Sequence, residues 1–245
     1  MLRSCTGPSR ILGIVALAAG MYAPAPAVAQ GSGPVYTAGW ADAAAILVGG
    51  GVALGATRVV PAAASCAPCD PASLPAIDRW VVGANSSVAG TGSDVLLAGV
   101  VAGGALASVT GMDAARARGN AAVFVNAAVW STAVTQWLKV ALHRERPVLY
   151  TSDAAAAVGD PDNRESFPSG HATLAFATAT AYAVMASRQH LPHAGRNTAL
   201  LYVGATGVAA LRVAGGKHFP TDVLAGAAIG AGVGWLTAQL HPTSP

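Results

Sequence analysis

Five or six apolar segments that carry almost no charge are the feature that most restricts how this chain can fold. Each is 15 to 20 residues long, close to the roughly 20 residues that a helix needs to cross a bilayer. None shows the charged stripe that a surface helix of a soluble bundle carries. The pattern predicts an all-α bundle of five to six mostly transmembrane helices. The segments are residues 41–57, which is Gly-rich and the weakest, 94–111, 120–138, 171–186, 197–213 and 222–240.

The composition agrees with this fold class. Only 10% of the residues are charged and 53% are hydrophobic, whereas an ordinary soluble domain has about 25% charged residues. Gly226, Gly230 and Gly234 recur every fourth residue, which predicts a close-packed face on the last helix. The net charge is only +3, and no basic stripe with aromatic residues is present, so we expect no nucleic-acid partner.

The N-terminus has the features of an export signal. Arg3 and Arg10 precede an apolar run, and the small residues 27–29 offer a cleavage site. We therefore expect residues 1–29 to be a signal peptide, with an uncleaved N-terminal anchor as the alternative. Residues 30–93 would then hold an N-terminal helix and a cysteine-containing loop, and residues 94–240 the core helical domain.

The cysteines support export. Cys5 lies inside the predicted signal, which leaves Cys66 and Cys69 in the rest of the chain. Two cysteines without a neighbouring histidine do not make a closed zinc site. We expect a small structural disulfide between Cys66 and Cys69 in an oxidising compartment, with a free thiol pair as the alternative.

Arginines in the connections predict the orientation in a membrane. Arg116 and Arg118 lie on the same side as Arg188 and Arg196 if all the segments between them span. The positive-inside rule makes that side cytoplasmic. Residues 139–169 and 215–221 then face outward, on the same side as the cysteines. One conflict stays open, because a cleaved signal and a spanning segment 41–57 would together invert every later helix.

The first outward loop and the helix after it contain groups suited to an anion. Lys139 and Arg146 stand seven residues apart and can converge on one anion, Lys as a point charge and Arg as a bidentate fork. The turn Ser169-Gly170-His171 leads into an uncharged segment. A helix N-terminus presents unpaired N–H groups and a partial positive charge, which suit an anion such as phosphate.

The second outward loop adds a cation and a histidine–carboxylate pair. Arg212 ends an apolar segment, where a charge without a partner is costly. His218 and Asp222 lie four residues apart, and Pro220 suits a first helical turn. We expect Asp222 to reach back to His218, because a carboxylate on one imidazole nitrogen fixes the tautomer and makes the other nitrogen more nucleophilic.

Together these stretches resemble the three signature motifs of the type-2 phosphatidic acid phosphatase superfamily. Residues 139–147, 168–171 and 212–222 match the motifs in order and spacing, and the resemblance covers roughly residues 94–240. One departure is Leu211, because the family usually has Ser just before the third-motif Arg. That change concerns the detail of the phosphate site rather than the chemistry.

The resemblance implies a metal-independent phosphatase that needs no cofactor and works through a phosphohistidine. By matching position, His218 would attack phosphorus, Asp222 would orient and charge-stabilise it, and His171 would protonate the leaving oxygen. The phosphoryl oxygens would be held by Lys139, Arg146, Arg212, Ser169 and the backbone N–H of Gly170. The remaining polar residues of these loops are assigned either to the edge of the site or to contacts that support the motif residues: His143, Arg144, Asn163, Arg164, Glu165 and Lys217.

The resulting hypothesis is a phosphatase of membrane lipids, with its site on the periplasmic face of a bacterial inner membrane. Candidate substrates are phosphatidic acid, phosphatidylglycerophosphate, a polyprenyl (pyro)phosphate or a lipid A phosphate; the oligomeric state stays open. The main alternative is a soluble periplasmic acid phosphatase of the same superfamily that acts on small phosphomonoesters. Two further alternatives are a vanadate-binding haloperoxidase and an inactive pocket that serves a transporter or scaffold.

Overall fold

The computed structural model describes residues 35–60 and 63–244, and these are mostly helical, so the predicted all-α class is confirmed. Two-residue strands, β1 (Val35–Tyr36) and β2 (Thr243–Ser244), pair antiparallel near the two ends of the described chain. The predicted signal peptide lies outside the described residues. The helices are α1 (Trp40–Ala56), α2 (Ala76–Arg79), α3 (Ser87–Val109), α4 (Ala114–Leu142), α5 (Ala154–Ala157), α6 (Gly170–Arg188), α7 (Ala194–Ala214) and α8 (Pro220–Leu240).

The six long helices correspond to the six predicted segments but begin earlier, and polar N-cap residues explain the early start of α3, α4 and α6. The Ser86 hydroxyl accepts a hydrogen bond from the N–H of Ala89 at 3.2 Å, so α3 begins seven residues before the predicted start at Asp94. Asp113 caps α4 by accepting from two backbone N–H groups at 2.9 Å. Side-chain caps of this kind satisfy N–H groups that a new helix leaves unpaired.

Helix α6 lies at the centre of the bundle and α8 packs directly against it. A Cβ atom added to Gly230 would lie 2.1 Å from the carbonyl oxygen of Thr173, and at Gly234 it would lie 2.5 Å from that of Ala177. Only glycine permits so close an approach between two helix backbones. This confirms the close-packed face predicted for the last helix.

The long helices alternate in direction, so the molecule has two distinct ends. At the loop end lie residues 57–60, 63–86, 143–169 and 215–219; at the terminal end β1 meets β2. Helix α1 runs in the same direction as α4, because Gly49 packs on Val129 while the Trp137 indole donates to the Val52 carbonyl at 2.9 Å. The chain at Val35 therefore lies at the end opposite the loops.

Among the described residues, α3 and α8 are both long enough and apolar enough to cross a membrane. Helix α1 has only 17 residues. Helices α4, α6 and α7 are less apolar than predicted because they contain polar side chains that the bundle buries, such as Asn120, Thr173 and Asn197. Five to six spanning helices were predicted, and two of the described helices have the length and composition of a membrane span.

Residues 63–86, which we call the collar, cross the loop end of the bundle. Within the collar, a disulfide joins Cys66 and Cys69. The N–H of Cys69 donates to the Leu149 carbonyl at 2.7 Å, which ties the collar to the loop after α4. The collar also touches Gly216, where φ is +64° and an added Cβ would overlap the Ala84 carbonyl. The collar is thus attached to both loops that carry the predicted site.

Candidate active site

The three motif stretches meet at the loop end of the bundle. Lys139 lies in the last turn of α4, His171 in the first turn of α6 and Arg212 in the last turn of α7. Arg146 lies within Coulombic reach of Lys139, Arg212 and His218. His171 in turn lies within reach of Lys139 and Arg212. The structure thus brings together the residues that the motifs single out.

His218 is buried and its ring is held by a backbone carbonyl. Its Nδ1 lies 2.7 Å from the carbonyl oxygen of Ser166, and only 1% of the residue is exposed. Because a carbonyl can only accept, Nδ1 carries the proton and Nε2 keeps its lone pair. The expected direct bond from Asp222 is not formed: Oδ2 of Asp222 lies 3.7 Å from Nδ1, beyond hydrogen-bonding distance.

Burial also determines the protonation state of His218. Desolvation lowers its pKa to about 4, and the charges of Arg146 and Arg212 act in the same direction. Asp222 opposes this shift but does not outweigh it. The imidazole is therefore neutral at neutral pH, which is the form that can act as a nucleophile.

Asp222 is fully buried and all its partners are donors. Its Oδ2 accepts from the Ser166 hydroxyl at 2.6 Å and from the Phe219 N–H at 2.8 Å. Its Oδ1 accepts from Nη1 of Arg144. A buried carboxylate needs such donors and a counter-charge to stay ionised. Ser166 therefore connects the two groups, since its carbonyl holds His218 and its hydroxyl holds Asp222.

Arg144 supports a motif residue directly, which is one of the two positions expected for it. Its guanidinium bonds to Asp222 through Nη1 and to Asp78 of the collar through Nη2, the latter at 2.7 Å. It also lies over the Phe219 ring, 4.5 Å from the centroid. The sequence signal was its place two residues before Arg146, whereas nothing in the Pro-rich collar marked Asp78.

His171 has a carboxylate partner that the sequence analysis did not identify. Its Nε2 lies 2.7 Å from Oδ1 of Asp94, which projects from the second turn of α3. The same oxygen lies 3.5 Å from Nη1 of Arg212. The side chain of Asp94 is 60% exposed and that of His171 is 30% exposed. An aspartate in an otherwise apolar segment was the available signal.

Two of the cations have donor atoms that no described residue satisfies. Nε of Arg146 and Nε of Arg212 are buried and make no hydrogen bond within residues 35–60 and 63–244. Nη1 of Arg146 pairs with the exposed Asp162 at 2.8 Å. Buried N–H donors normally have a partner. These two N–H groups are therefore available to an anion bound beside them.

The start of α6 contributes backbone donors. Ser169 is buried and caps the helix, with its hydroxyl 3.5 Å from the N–H of Ala172, while its own N–H donates to the Asp222 carbonyl at 3.0 Å. Gly170 begins the helix. The positive end of the α6 dipole therefore points into the space between the motif residues.

A metal site would need several His, Cys, Asp or Glu side chains close together. In the part of the chain that the structure describes, no three or more His, Cys, Asp and Glu side chains form a group that could hold a metal ion.

Comparison with known proteins gives one match. The family model described as the PAP2 superfamily matches residues 120–245, just over half of the chain. No curated protein and no solved structure matches the chain. The match includes all three motif stretches, whereas Asp78 and Asp94 lie before it.

Proposed function

The chain belongs to the PAP2 superfamily, whose members are phosphatases, and we propose that it hydrolyses the phosphate monoester or pyrophosphate of a membrane lipid. The observation that carries this proposal is the pair of orphaned Nε donors on Arg146 and Arg212 beside a neutral, buried His218. With Lys139 they supply three cations for one dianionic phosphoryl group. Ser169 and the Gly170 N–H complete the proposed phosphate-binding set.

In the first proposed step, Nε2 of His218 attacks phosphorus and the bond from phosphorus to the leaving oxygen breaks. His171 gives a proton to that oxygen, so the alcohol leaves neutral. The guanidinium groups and the α6 N-terminus stabilise the charge that develops on the three phosphoryl oxygens. The product is a phosphohistidine, and Asp222 stabilises the positive charge on its ring.

In the second proposed step, water attacks the phosphohistidine. His171, now neutral, takes a proton from the water, the N–P bond breaks and His218 regains its lone pair. Inorganic phosphate leaves, and the enzyme returns to its starting protonation state. Asp94 assists both steps by orienting the His171 ring through Nε2.

The distribution of surface residues supports a membrane-embedded bundle. Every charged side chain of the six long helices lies within eight residues of a helix end, so a charge-free band surrounds the middle. Exposed tryptophans lie at both ends, Trp40 at the terminal end and Trp80 at the loop end. Charge-free bands flanked by tryptophan are typical of proteins in bilayers. Large apolar side chains that face outward are Leu47, Val48, Leu54, Val95, Leu106, Val203, Leu224 and Leu236.

We propose that the site faces the periplasm. Arg116, Arg118, Arg188 and Arg196 lie in the turns at the terminal end, and we assign that end to the cytoplasm because most of the more numerous cations at the loop end belong to the site or the collar. The Cys66–Cys69 disulfide lies at the loop end, and disulfides form and persist in an oxidising compartment such as the periplasm. In this arrangement Val35 lies on the cytoplasmic side, which favours retention over cleavage of the N-terminal signal if α1 spans.

A phosphate panel tests the proposed function. Purified protein in detergent with a chelator is assayed against lipid phosphates, lipid pyrophosphates and water-soluble monoesters. We expect turnover with the chelator present, and a higher kcat/KM for lipid substrates than for soluble esters. Loss of activity with the chelator would refute metal independence, and equal rates for all substrates would refute the lipid preference.

A soluble periplasmic acid phosphatase is the second candidate, because within residues 35–60 and 63–244 only α3 and α8 are long and apolar enough for a membrane span. Its proposed chemistry is the same. Carbonate washing of membranes separates the two: recovery in the pellet supports the embedded bundle, and recovery in the soluble fraction supports the second candidate.

A further inference from the structure

A fully buried carboxylate in the collar belongs to none of the motifs and lies outside the family match. Asp78 lies in α2, and its Oδ1 accepts from the N–H of Thr221 at 3.0 Å. Its Oδ2 accepts from the Thr221 hydroxyl at 2.6 Å and from Nη2 of Arg144 at 2.7 Å. Thr221 immediately precedes Asp222, and Arg144 is the counter-ion of Asp222. Asp78 therefore holds both the backbone next to Asp222 and its counter-ion.

The collar is built to keep Asp78 in this place. Leu74 and Val81 flank α2 and pack with Phe219, the residue after His218. Arg79 donates to the Leu74 carbonyl at 2.9 Å, which closes the collar around α2. Ser65 donates to Glu145, the residue after Arg144. The collar is therefore attached at Phe219, over whose ring Arg144 lies, and at Glu145, which follows Arg144 in the chain.

Arg144 thus lies between two carboxylates, Asp78 and Asp222. A pair of Arg144 and Asp222 alone would be neutral overall. Such a pair would stabilise a positive charge on His218 only weakly. With Asp78 present, the three groups carry a net charge of −1. Opposite charges act strongly on one another where water is excluded.

We propose that Asp78 is a positioning residue that keeps the Arg144–Asp222 pair net negative, so that Asp222 can stabilise the positive charge on His218 when Nε2 bonds to phosphorus. The inference rests on the proposed phosphohistidine chemistry. It makes the collar, which precedes the family match, a working part of the site. Asp78 touches neither substrate nor His218; it acts through Arg144 and Thr221.

Asp78→Asn tests the proposal, because asparagine has nearly the same shape and no charge. We expect kcat to fall about 10- to 100-fold, as when one charge-stabilising group is lost. KM and the inhibition constant of inorganic phosphate should stay within about twofold, since Lys139, Arg146 and Arg212 are unchanged. Phosphoenzyme formation in a single turnover should slow by the same factor as kcat.

Two matched variants complete the experiment. Asp70→Asn removes a carboxylate from the same collar that caps only a local turn, and it should leave kcat unchanged. Asp78→Glu restores the charge and should recover most of the activity. A kcat within twofold of wild type for Asp78→Asn would overturn the proposal, and so would a loss of phosphate affinity as large as the loss of kcat.

If Asp78→Asn does not fold, Thr221→Val provides the test, because it removes the hydroxyl between Asp78 and Arg144 but buries no unpaired charge. We expect a several-fold loss of kcat with unchanged phosphate inhibition. An unchanged kcat would contradict the proposal.

Titration of His218 by NMR tests Asp78 without relying on turnover. The charged groups that act on the His218 ring are Asp222, Arg146 and Arg212, and Asp78 modulates the first through Arg144. Because His218 titrates near pH 4, about half of it should be protonated at that pH in the wild type. In Asp78→Asn it should stay neutral, since a negative charge has been removed. Equal titration curves would refute the charge role of Asp78, whereas a wild type that hydrolyses no phosphate ester would refute only the proposed function.

Discussion

The site has two halves, one around His218 and one around His171, and the two histidines lie in different environments. His218 is buried, its ring is held by the Ser166 carbonyl, and its carboxylate Asp222 is held by three donors. His171 is partly exposed and bonds directly to Asp94, whose side chain is mostly in solvent. The difference indicates two tasks: one imidazole is kept neutral and in place, while the other stays accessible to exchange protons.

The contrast also explains why a carboxylate touches one histidine but not the other. A direct Asp222–His218 bond would make Nε2 more basic, but it would also raise the pKa of the ring, so a smaller fraction of His218 would be in the neutral form that can attack phosphorus. A neutral carbonyl orients the ring without that effect, and in the proposed mechanism Asp222 at 3.7 Å stabilises the charge that appears when Nε2 bonds to phosphorus. For a proton donor the direct bond from Asp94 is useful because it favours the charged form, although burial and the charges of Arg212 and Lys139 together favour the neutral form more strongly.

The largest expected effect comes from removing the buried imidazole. His218→Ala should lower kcat by about ten thousandfold or more, as loss of a nucleophile does in other hydrolases. No phosphoenzyme should be trapped by acid quench with radiolabelled substrate. His190→Asn is a matched control, because His190 is an exposed histidine at the terminal end with positive φ, which asparagine tolerates. Normal turnover by His218→Ala would show that the two halves have been assigned wrongly.

Removing the accessible imidazole should have an effect that depends on the substrate. His171→Ala should slow the loss of alcohol leaving groups by roughly 100- to 10,000-fold, the usual contribution of a general acid. Nitrophenyl phosphate should be slowed much less, because nitrophenolate leaves without a proton. The ratio of the two rates is the measurement. Equal slowing of both esters would contradict the role of His171 as acid.

The two carboxylates should differ in stability as well as in rate. Asp222→Asn breaks a buried ion pair, which typically costs about 3–5 kcal/mol, so we expect a Tm lower by several degrees together with a large loss of kcat. Asp94→Asn should lower kcat about tenfold for alkyl phosphates and leave the Tm nearly unchanged, because its side chain is 60% exposed.

Thermal unfolding in detergent and steady-state rates for both variants provide the comparison. A Tm loss for Asp94→Asn as large as that for Asp222→Asn would remove the distinction between a buried and an accessible half.

The sequence predicted the parts of this site that can be recognised from the types of residue and their spacing. Lys139, Arg146, Arg212 and the two histidines stand in motif order, and the family match confirms the resemblance on which they were selected. The all-α class followed from the length and apolar character of the segments. Helix starts were placed too late, because caps such as Ser86 lie outside the apolar runs.

The sequence did not reveal the carboxylates that join distant stretches. Asp78 lies 66 residues before Arg144, and Asp94 lies 77 residues before His171. Such pairings depend on how helices pack, which residue spacing does not encode. The spacing of His218 and Asp222 likewise predicted proximity, but it could not distinguish a hydrogen bond from the 3.7 Å separation with Ser166 between them.

The smallest expected effect is a pH profile that reports burial of His218. Because burial lowers its pKa to about 4, the neutral, reactive form predominates above that value and is lost as the pH falls through it. We therefore expect the enzyme's contribution to kcat/KM to decline near pH 4 on the acidic side, and to decline again at higher pH where His171 loses the proton that it donates. A solvent-exposed histidine would cause the decline near pH 6.5 instead.

Ionisation of the substrate must be separated from that of the enzyme, because a phosphate monoester loses its second proton near pH 6. Two esters with different phosphate pKa values provide the separation: the acidic limb that stays in place for both belongs to the enzyme. Protein held at pH 4 and then assayed at pH 6 controls for irreversible inactivation. A fixed limb near 6.5 would mean that His218 is accessible to water, and the two halves of the site would then share one environment instead of two.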